Sequence, residues 1–421
     1  MPDPYSRVLA CIPGDATEVL DLANPDHQDA VRSIAEAFEA LSLDADALQD
    51  VDLRVAPDDD IPVAARVALK LATSRQAFRQ LETPVHVSVV FAVYQEHRRM
   101  LTAEEHPAGE DLVRWKLRQL RWLFSAAPHH SWDLTIVDDG CPDQSGAKAQ
   151  AILNEFALDS EETRVLFLED AIRDRLPIVQ TLESTTQSQK GGSIRFGLWD
   201  AARRSRESKQ HIALFTDADL STHLGQIGLL ASALAQPGTR AALGSRREAS
   251  SVTVKGGTRN LRGKLFVYLW KGLIPQLEGI IDTQCGFKAF DAQHLATWIG
   301  DIQDNGFSFD IEFLLRIQLL QPGALQKVAV AWIDSEAEST TTSLEPYLPM
   351  LQRIATLYRS TLPATAEADA LADLIERLDN DSFHRLVARL PPALADREPI
   401  EFDAYRETRA TDLAQAIGLV L

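Results

Sequence analysis

Ile212-Ala213-Leu214-Phe215-Thr216-Asp217-Ala218-Asp219 is the stretch that decides how this chain is read. An apolar run fit for a buried strand stops on two acids one residue apart. Carboxylates held together away from bulk water repel and raise each other's pKa unless a cation binds them. Their oxygens suit Mg²⁺ or Mn²⁺, and Mg²⁺ is usually held by one or two carboxylates plus substrate phosphates. Asp217 and Asp219 therefore point to a metal–phosphate site at a strand end. The plainer reading is a loop in which Asp219 or Ser221 caps a helix starting near Thr222.

Working outward, the neighbouring segments alternate between strand and helix patterns. Val85–Val93 is a β-rich run, residues 111–124 have helical spacing, and Asp133–Val137 is a second strand that ends on Asp138-Asp139-Gly140. Val165–Leu168 is a third strand, and a helix opens after Lys190-Gly191-Gly192. Beyond the paired acids come a helix over residues 222–235 and a short strand at Ala241–Leu243. This alternation predicts an α/β fold with a mostly parallel sheet covered on both faces. Ligands of such sheets bind past the carboxyl ends of the strands, where both acidic clusters fall.

The flanks differ. Residues 1–82 read as acidic helices, with apolar spacing at Val31, Ile34, Phe38 and Leu41 and a second helix over residues 63–81. Residues 361–421 return to that character, with helical spacing over residues 368–378 and 383–390. The division expected is 1–82, a helical extension; 83–345, the sheet domain; and 346–421, a second helical extension. Packing or homo-oligomerisation is the role expected of the extensions.

Composition bounds the partners. A net charge of −19 disfavours nucleic acid and anionic membrane surfaces as main partners. Against it, residues 240–264 gather Arg240, Arg246, Arg247, Lys255, Arg259, Arg262 and Lys264 with Glu248 as the sole acid, a patch suited to phosphate. The three cysteines, Cys11, Cys141 and Cys285, form neither a disulfide framework nor a zinc spacing. No apolar stretch approaches the ~20 residues of a membrane-spanning helix. The start of the chain lacks a signal-peptide pattern, so a cytoplasmic setting is expected.

The remaining motifs fall in order: Tyr94-Gln95-Glu96, Asp138-Asp139-Gly140, Lys190-Gly191-Gly192-Ser193-Ile194-Arg195, Asp217-Ala218-Asp219, Gly244-Ser245-Arg246, Asp282-Thr283-Gln284-Cys285-Gly286-Phe287-Lys288 and Phe309-Asp310-Ile311-Glu312. Over about residues 84–345 this set resembles family 2 glycosyltransferases of the GT-A fold, in the branch of the dolichyl- or polyprenyl-phosphate glucose and mannose synthases. The resemblance implies a Rossmann-like nucleotide-diphospho-sugar transferase domain and inverting transfer of a hexose from a donor such as UDP-glucose or GDP-mannose.

It also implies roles. Asp217 and Asp219 would hold Mg²⁺ or Mn²⁺ across the donor diphosphate. Asp138 and Asp139 would meet the base and ribose, unless they only form an Asp-Gly turn. Tyr94 and Glu96 match the family's Tyr-Asn-Glu, with Gln95 in place of Asn. Lys190, at a helix start, together with Arg246, Arg259 or Arg262, and Lys288, would face the nucleotide sugar. Asp310 would be the base that takes an acceptor proton, with Asp282 the next candidate. A helix cap is the competing reading of Asp310, and a phosphate acceptor, already ionised, would need no base. Cys285 reads as packing.

Departures from the family leave the acceptor open between a small molecule and a lipid phosphate. The chain shows no membrane anchor, adds the helical extensions, and lengthens residues 170–189. Two other readings stay in view. Asp217-Ala218-Asp219-Leu220-Ser221 loosely fits a haloacid-dehalogenase-type phosphatase, with Asp217 as nucleophile and Asp219 as acid/base. A non-catalytic sugar-nucleotide-binding protein would keep the fold without turnover.

Overall fold

The computed structural model describes residues 3–156, 162–204, 209–254, 261–334, 347–399 and 408–420. They form two compact units: residues 1–256, 284–301 and 323–338 in the first, and residues 257–283, 302–322 and 339–421 in the second.

The first unit is built on strands β1 (Val85–Val93), β2 (Ser131–Asp138), β3 (Thr163–Phe167), β4 (Gln210–Thr216), β5 (Ala241–Ser245), β6 (Val252–Val254), β7 (Phe287–Asp291), β8 (Leu325–Ala329) and β9 (Ala331–Ile333). Seven of them make one sheet in the order β3-β2-β1-β4-β7-β5-β8. β7 runs antiparallel to β4 and β5, and the other pairings are parallel. β6 and β9 form a separate parallel ribbon. This is the mostly parallel α/β sheet expected of a GT-A domain.

Strand chemistry explains the centre. Val85, Val87, Val89, Phe91 and Val93 of β1 and Ile212 and Leu214 of β4 are fully buried, as a two-sided interior strand requires. The helices of this unit include α1 (Pro4–Ala10), α2 (Pro25–Ala40), α3 (Ala45–Val55), α4 (Val63–Arg79), α5 (Leu112–Ser125), α6 (Ser145–Asn154), α7 (Leu168–Arg173), α8 (Lys190–Arg203) and α9 (Ile227–Leu234), of which α5 to α9 pack directly on strands of the sheet. α8 packs on β1, β2 and β4. Gly197 allows that approach, because a Cβ there would lie 2.4 Å from Val90 and 2.8 Å from Val137. α4 packs on α9 and on the β6–β9 ribbon, which makes the N-terminal helices part of the sheet's own unit.

Three expectations shift at their edges. The helix read from Thr222 begins as a 3-10 turn at Leu224–Gln226, capped by His223, and becomes α9 only at Ile227. Asp219 does not cap it; its Oδ1 accepts from Ser221 N in a local turn. Residues 170–189, read as a long loop, hold the end of α7 and two 3-10 turns.

α10 (Leu261–Leu273) belongs to the second unit, whereas α11 (Ala292–Ala296) lies in the first. α12 (Phe309–Leu320), α13 (Tyr347–Thr361), α14 (Ala366–Arg377), α15 (Asn380–Ala388), α16 (Pro392–Ala395) and α17 (Ala410–Ala416) complete the second unit. Its core is α10 against α13 and α14. Among the described residues no helix is long and apolar enough to cross a membrane.

Candidate functional site

Strand direction sets the site. β1, β2, β4 and β5 run the same way, so Tyr94–Glu96, Asp138–Asp139, Asp217–Asp219 and Arg246 follow them at one edge of the sheet. β7 starts from that edge, bringing Cys285-Gly286 beside the acids. Gly286 O accepts from Asp217 N at 3.0 Å, and a Cβ on Gly286 would lie 2.1 Å from Asp217 Oδ1. Only glycine leaves that carboxylate its place.

The first turn of α8 ties the acids together. Lys190 Nζ pairs with Asp217 Oδ1. Ser193 Oγ donates to Asp139 Oδ1 at 2.7 Å. Arg195 donates to the carbonyl of Ile178, fixing the segment that leads into the helix. One short motif thus contacts the loops after both β2 and β4.

Electrostatics separates the carboxylates. Removal from water pushes Asp217 up, but Lys190, with Lys288 and Arg246, holds it below the usual range. Asp219 is raised, first by burial and then by the charge of Asp217, against Arg99 and Lys116. Asp139 is raised to about 6, mainly by burial, although Ser193 favours its charged form. Glu96 is also raised by burial, with Asp219 and Glu110 adding repulsion.

Asp138 behaves differently. Its Oδ1 accepts from Gly140 N and Cys141 N, both at 2.9 Å, and its Oδ2 from Gly146 N at 2.6 Å. It builds the Asp-Gly turn and steadies the start of α6. Gly140 adopts φ +72°, a conformation only glycine takes easily.

Behind the pair lie cations that the sequence reading did not pick out. Arg99 donates to both oxygens of Glu110, at 3.0 and 2.9 Å, and to Glu96 at 3.0 Å. Lys116 is completely buried, and its Nζ donates to the main-chain oxygen of Asp219 at 2.8 Å. Burial pushes Lys116 down to about 8, opposed by Asp219 and Asp217. Lys116 stands on α5, far along the chain from both Glu96 and Asp138, and its helix reads as ordinary amphipathic packing. The Glu96–Arg99 spacing of three was the one available signal.

The other candidates sort as follows. Tyr94 is half exposed at the edge. Arg246 stacks over the Trp332 ring at 5.2 Å. Lys288 was read as a donor contact, yet it is fully buried in β7, with its amine on the carbonyl of Cys285; it acts on Asp217 through charge. Arg259 lies outside the described residues. Asp282 and Asp310 belong to the second unit and are both buried. Ser308, not Asp310, is the N-cap of α12, and Asp310 sits in its first turn. Beside it, Glu312 accepts from Gln303 N at 3.0 Å and Asp304 N at 2.7 Å, a clamp on its own loop.

The donor set fits a divalent cation that completes its shell elsewhere. Asp217 and Asp219 are two hard carboxylates whose mutual repulsion a cation would relieve. Among the described residues no group of three or more His, Cys, Asp or Glu could hold a metal alone. The balance would come from phosphates and water.

No protein-family profile matches the chain. Its sequence is 29% identical over 276 residues to the dolichyl-phosphate β-glucosyltransferase of Mus musculus, covering 63% of this chain and 72% of that protein. It is 28% identical over 273 residues to the Homo sapiens enzyme of the same name, with the same coverage. On this relationship the chain is a glycosyltransferase. More particularly, it is a homologue of the family 2 dolichyl-phosphate β-glucosyltransferases. The phosphatase alternative is set aside with it. A solved glucosyl-3-phosphoglycerate synthase from Mycobacterium tuberculosis, in complex with Mn²⁺, UDP and glucosyl-3-phosphoglycerate, superposes with a TM-score of 0.45 at 17% identity, covering 70% of this chain and 85% of that one. That likeness is too loose to argue from.

Proposed function

We propose that this glycosyltransferase moves a hexose, with inversion, from a nucleoside diphosphate sugar whose diphosphate sits over Asp217 and Asp219 with Mg²⁺ or Mn²⁺. The carrying observation is that pair at the sheet edge, part-buried, with Asp217 held by Lys190 and Gly286. A divalent cation bound there would act as a Lewis acid on the departing diphosphate. Lys190 has a second task in this reading. Its amine is within reach of Asp217 and can turn to a phosphate oxygen, as lysines at helix starts do. Asp139, kept in place by Ser193, accepts hydrogen bonds from the base or ribose, while Asp138 shapes the loop beneath it. Tyr94 and Glu96 lie at the same sheet edge, and Arg246 would meet the phosphates.

Glucose is the favoured sugar, from the names of the relatives and the Cys285–Lys288 run. A polyprenyl phosphate is the favoured acceptor for the first reason. With such an acceptor Asp310 positions rather than deprotonates; with a neutral hydroxyl it is the base, and Asp282 is second in line.

Thermal unfolding with UDP-, GDP- and TDP-sugars, each with and without Mn²⁺ and Mg²⁺, tests the donor and the metal together. A ligand that binds only the folded chain raises its midpoint by mass action. A shift that needs both UDP-glucose and metal is expected. No shift with any combination would overturn the reading. Product formation with dolichyl phosphate against water-soluble hydroxyl acceptors then separates the two acceptor classes.

A further inference from the structure

The N-terminal helices lie outside the resemblance, yet one of them reaches the loop that carries Arg246. Lys70, in the middle of α4, is 2% exposed and pairs with Asp52 of α3. Its amine also donates to Ser250 Oγ at 3.1 Å. Ser250 belongs to the segment between β5 and β6, four residues past Arg246.

That segment is stapled by short-range bonds. Ser251 Oγ donates to Ser245 O at 2.7 Å, Ser245 Oγ to Glu248 Oε1 at 2.9 Å, and Thr253 Oγ1 to Arg246 O at 3.0 Å. It is anchored at Trp332, under the Arg246 guanidinium, and Trp332 stands in β9 of the ribbon on which α4 packs. β9 in turn is held by Gln226, whose amide exchanges hydrogen bonds with Ala331 at 2.9 and 2.6 Å. Of these attachments, only the Lys70 bond joins the loop to the N-terminal helices through a charged group.

A lysine with its stem in a helix interface is costly to desolvate, and Asp52 alone would satisfy its charge. The second partner, Ser250, is what a packing role leaves unexplained. We propose that Lys70 is a positioning residue: through Ser250 it fixes the loop that aims Arg246 at the donor diphosphate, so that the N-terminal helices are part of the donor site. This rests on the nucleotide-sugar reading above.

The test is a double-mutant cycle on nucleotide affinity. UDP and GDP, each with Mn²⁺, are titrated calorimetrically into wild type, Ser250→Ala, Arg246→Ala and the double variant. Ser250→Ala removes one hydroxyl and no charge, so folding is preserved where Lys70→Met would strand Asp52. The expected result is about three- to tenfold weaker binding in Ser250→Ala, the scale of one ordinary intramolecular hydrogen bond, and no further loss when Arg246 is already alanine. Such coupling is a readout that a purely structural hydroxyl would not give. Wild-type affinity in Ser250→Ala, or a loss that persists in the Arg246→Ala background, overturns the inference alone. Failure of the wild type to bind either nucleotide overturns it together with the donor reading.

Discussion

The two ends of the same strands treat buried acids in opposite ways. At the amino ends of β1, β2 and β4, Asp133 is closed in on every side. Its Oδ2 meets His86 Nε2 and Ser88 Oγ, both at 2.8 Å, and its Oδ1 accepts from Arg204 at 2.9 Å. Ser88 passes the network on to His211 at 2.9 Å. Burial pushes Asp133 up, but these partners more than offset it and its pKa lies below the usual range. At the carboxyl ends Lys190 holds Asp217 low, but Asp219, Asp139 and Glu96 all lie above their ordinary values. A network built for stability satisfies its charges. One that leaves acids under strain in a cleft marks where a ligand is expected to supply the missing charge.

Removing the strained acid should therefore hurt activity and spare the fold. Asp219→Asn is expected to lower turnover by about a thousandfold or more, the scale of losing a main electrostatic contact to a leaving group. Its melting temperature should not fall, because burial and the charge of Asp217 make an ionised carboxylate there a cost to the fold, which asparagine removes. Turnover within tenfold of wild type, in an assay that first establishes the donor, would break the comparison at its functional end.

Asp133→Ala is the mirror experiment. It strips Arg204, His86 and Ser88 of their shared acceptor in a buried setting. A loss of about 3 kcal/mol in stability is expected, read from the denaturant midpoint, with donor affinity unchanged at a temperature where the variant is folded. An unchanged midpoint would mean that the satisfied end is no more structural than the other.

The contrast also explains what the sequence could tell. Ile212–Asp219 announced itself, because an apolar run ending on two acids is local. So did Val85–Val93 and Asp133–Val137, although nothing marked Asp133 itself as different from Asp138. β7 was missed: Phe287-Lys288-Ala289-Phe290-Asp291 carries a lysine at an inward position, a burial that the carbonyl of Cys285, the Phe215 ring and the nearby Asp217 help make tolerable. β8, with exposed Gln326 and Lys327, has an edge strand's mixed pattern, and the three-residue β6 and β9 are too short to show a period. Lys116 and Arg99 find their partners across separate elements, so their part in the site is a property of the fold. The Lys190-Gly191-Gly192-Ser193 motif stood out as a helix start, but that its first turn should contact both Asp217 and Asp139 emerged only with the strand order.

The smallest effect concerns Asp139, where sign matters more than size. Its pKa rises from an ordinary 3.8 to about 6 on folding. The folded state therefore binds a proton that the unfolded state has released, and stability falls as pH rises through that window. Above it the ionised, buried carboxylate is a standing cost of up to about 3 kcal/mol. Asp139→Asn keeps an acceptor for Ser193 and cannot ionise. It should melt higher than wild type at pH 7.5, with the advantage shrinking as pH is lowered and gone near pH 4. Asp133 supplies the opposing slope: its folded pKa is depressed, so its contribution is present above the unfolded value and fades as pH falls through the folded one. The difference between Asp139→Asn and wild type, measured at each pH, isolates the strained end from that background. A constant difference across the range would show that Asp139 is not held above its ordinary value, and that the asymmetry between the two strand ends does not extend to the loop after β2.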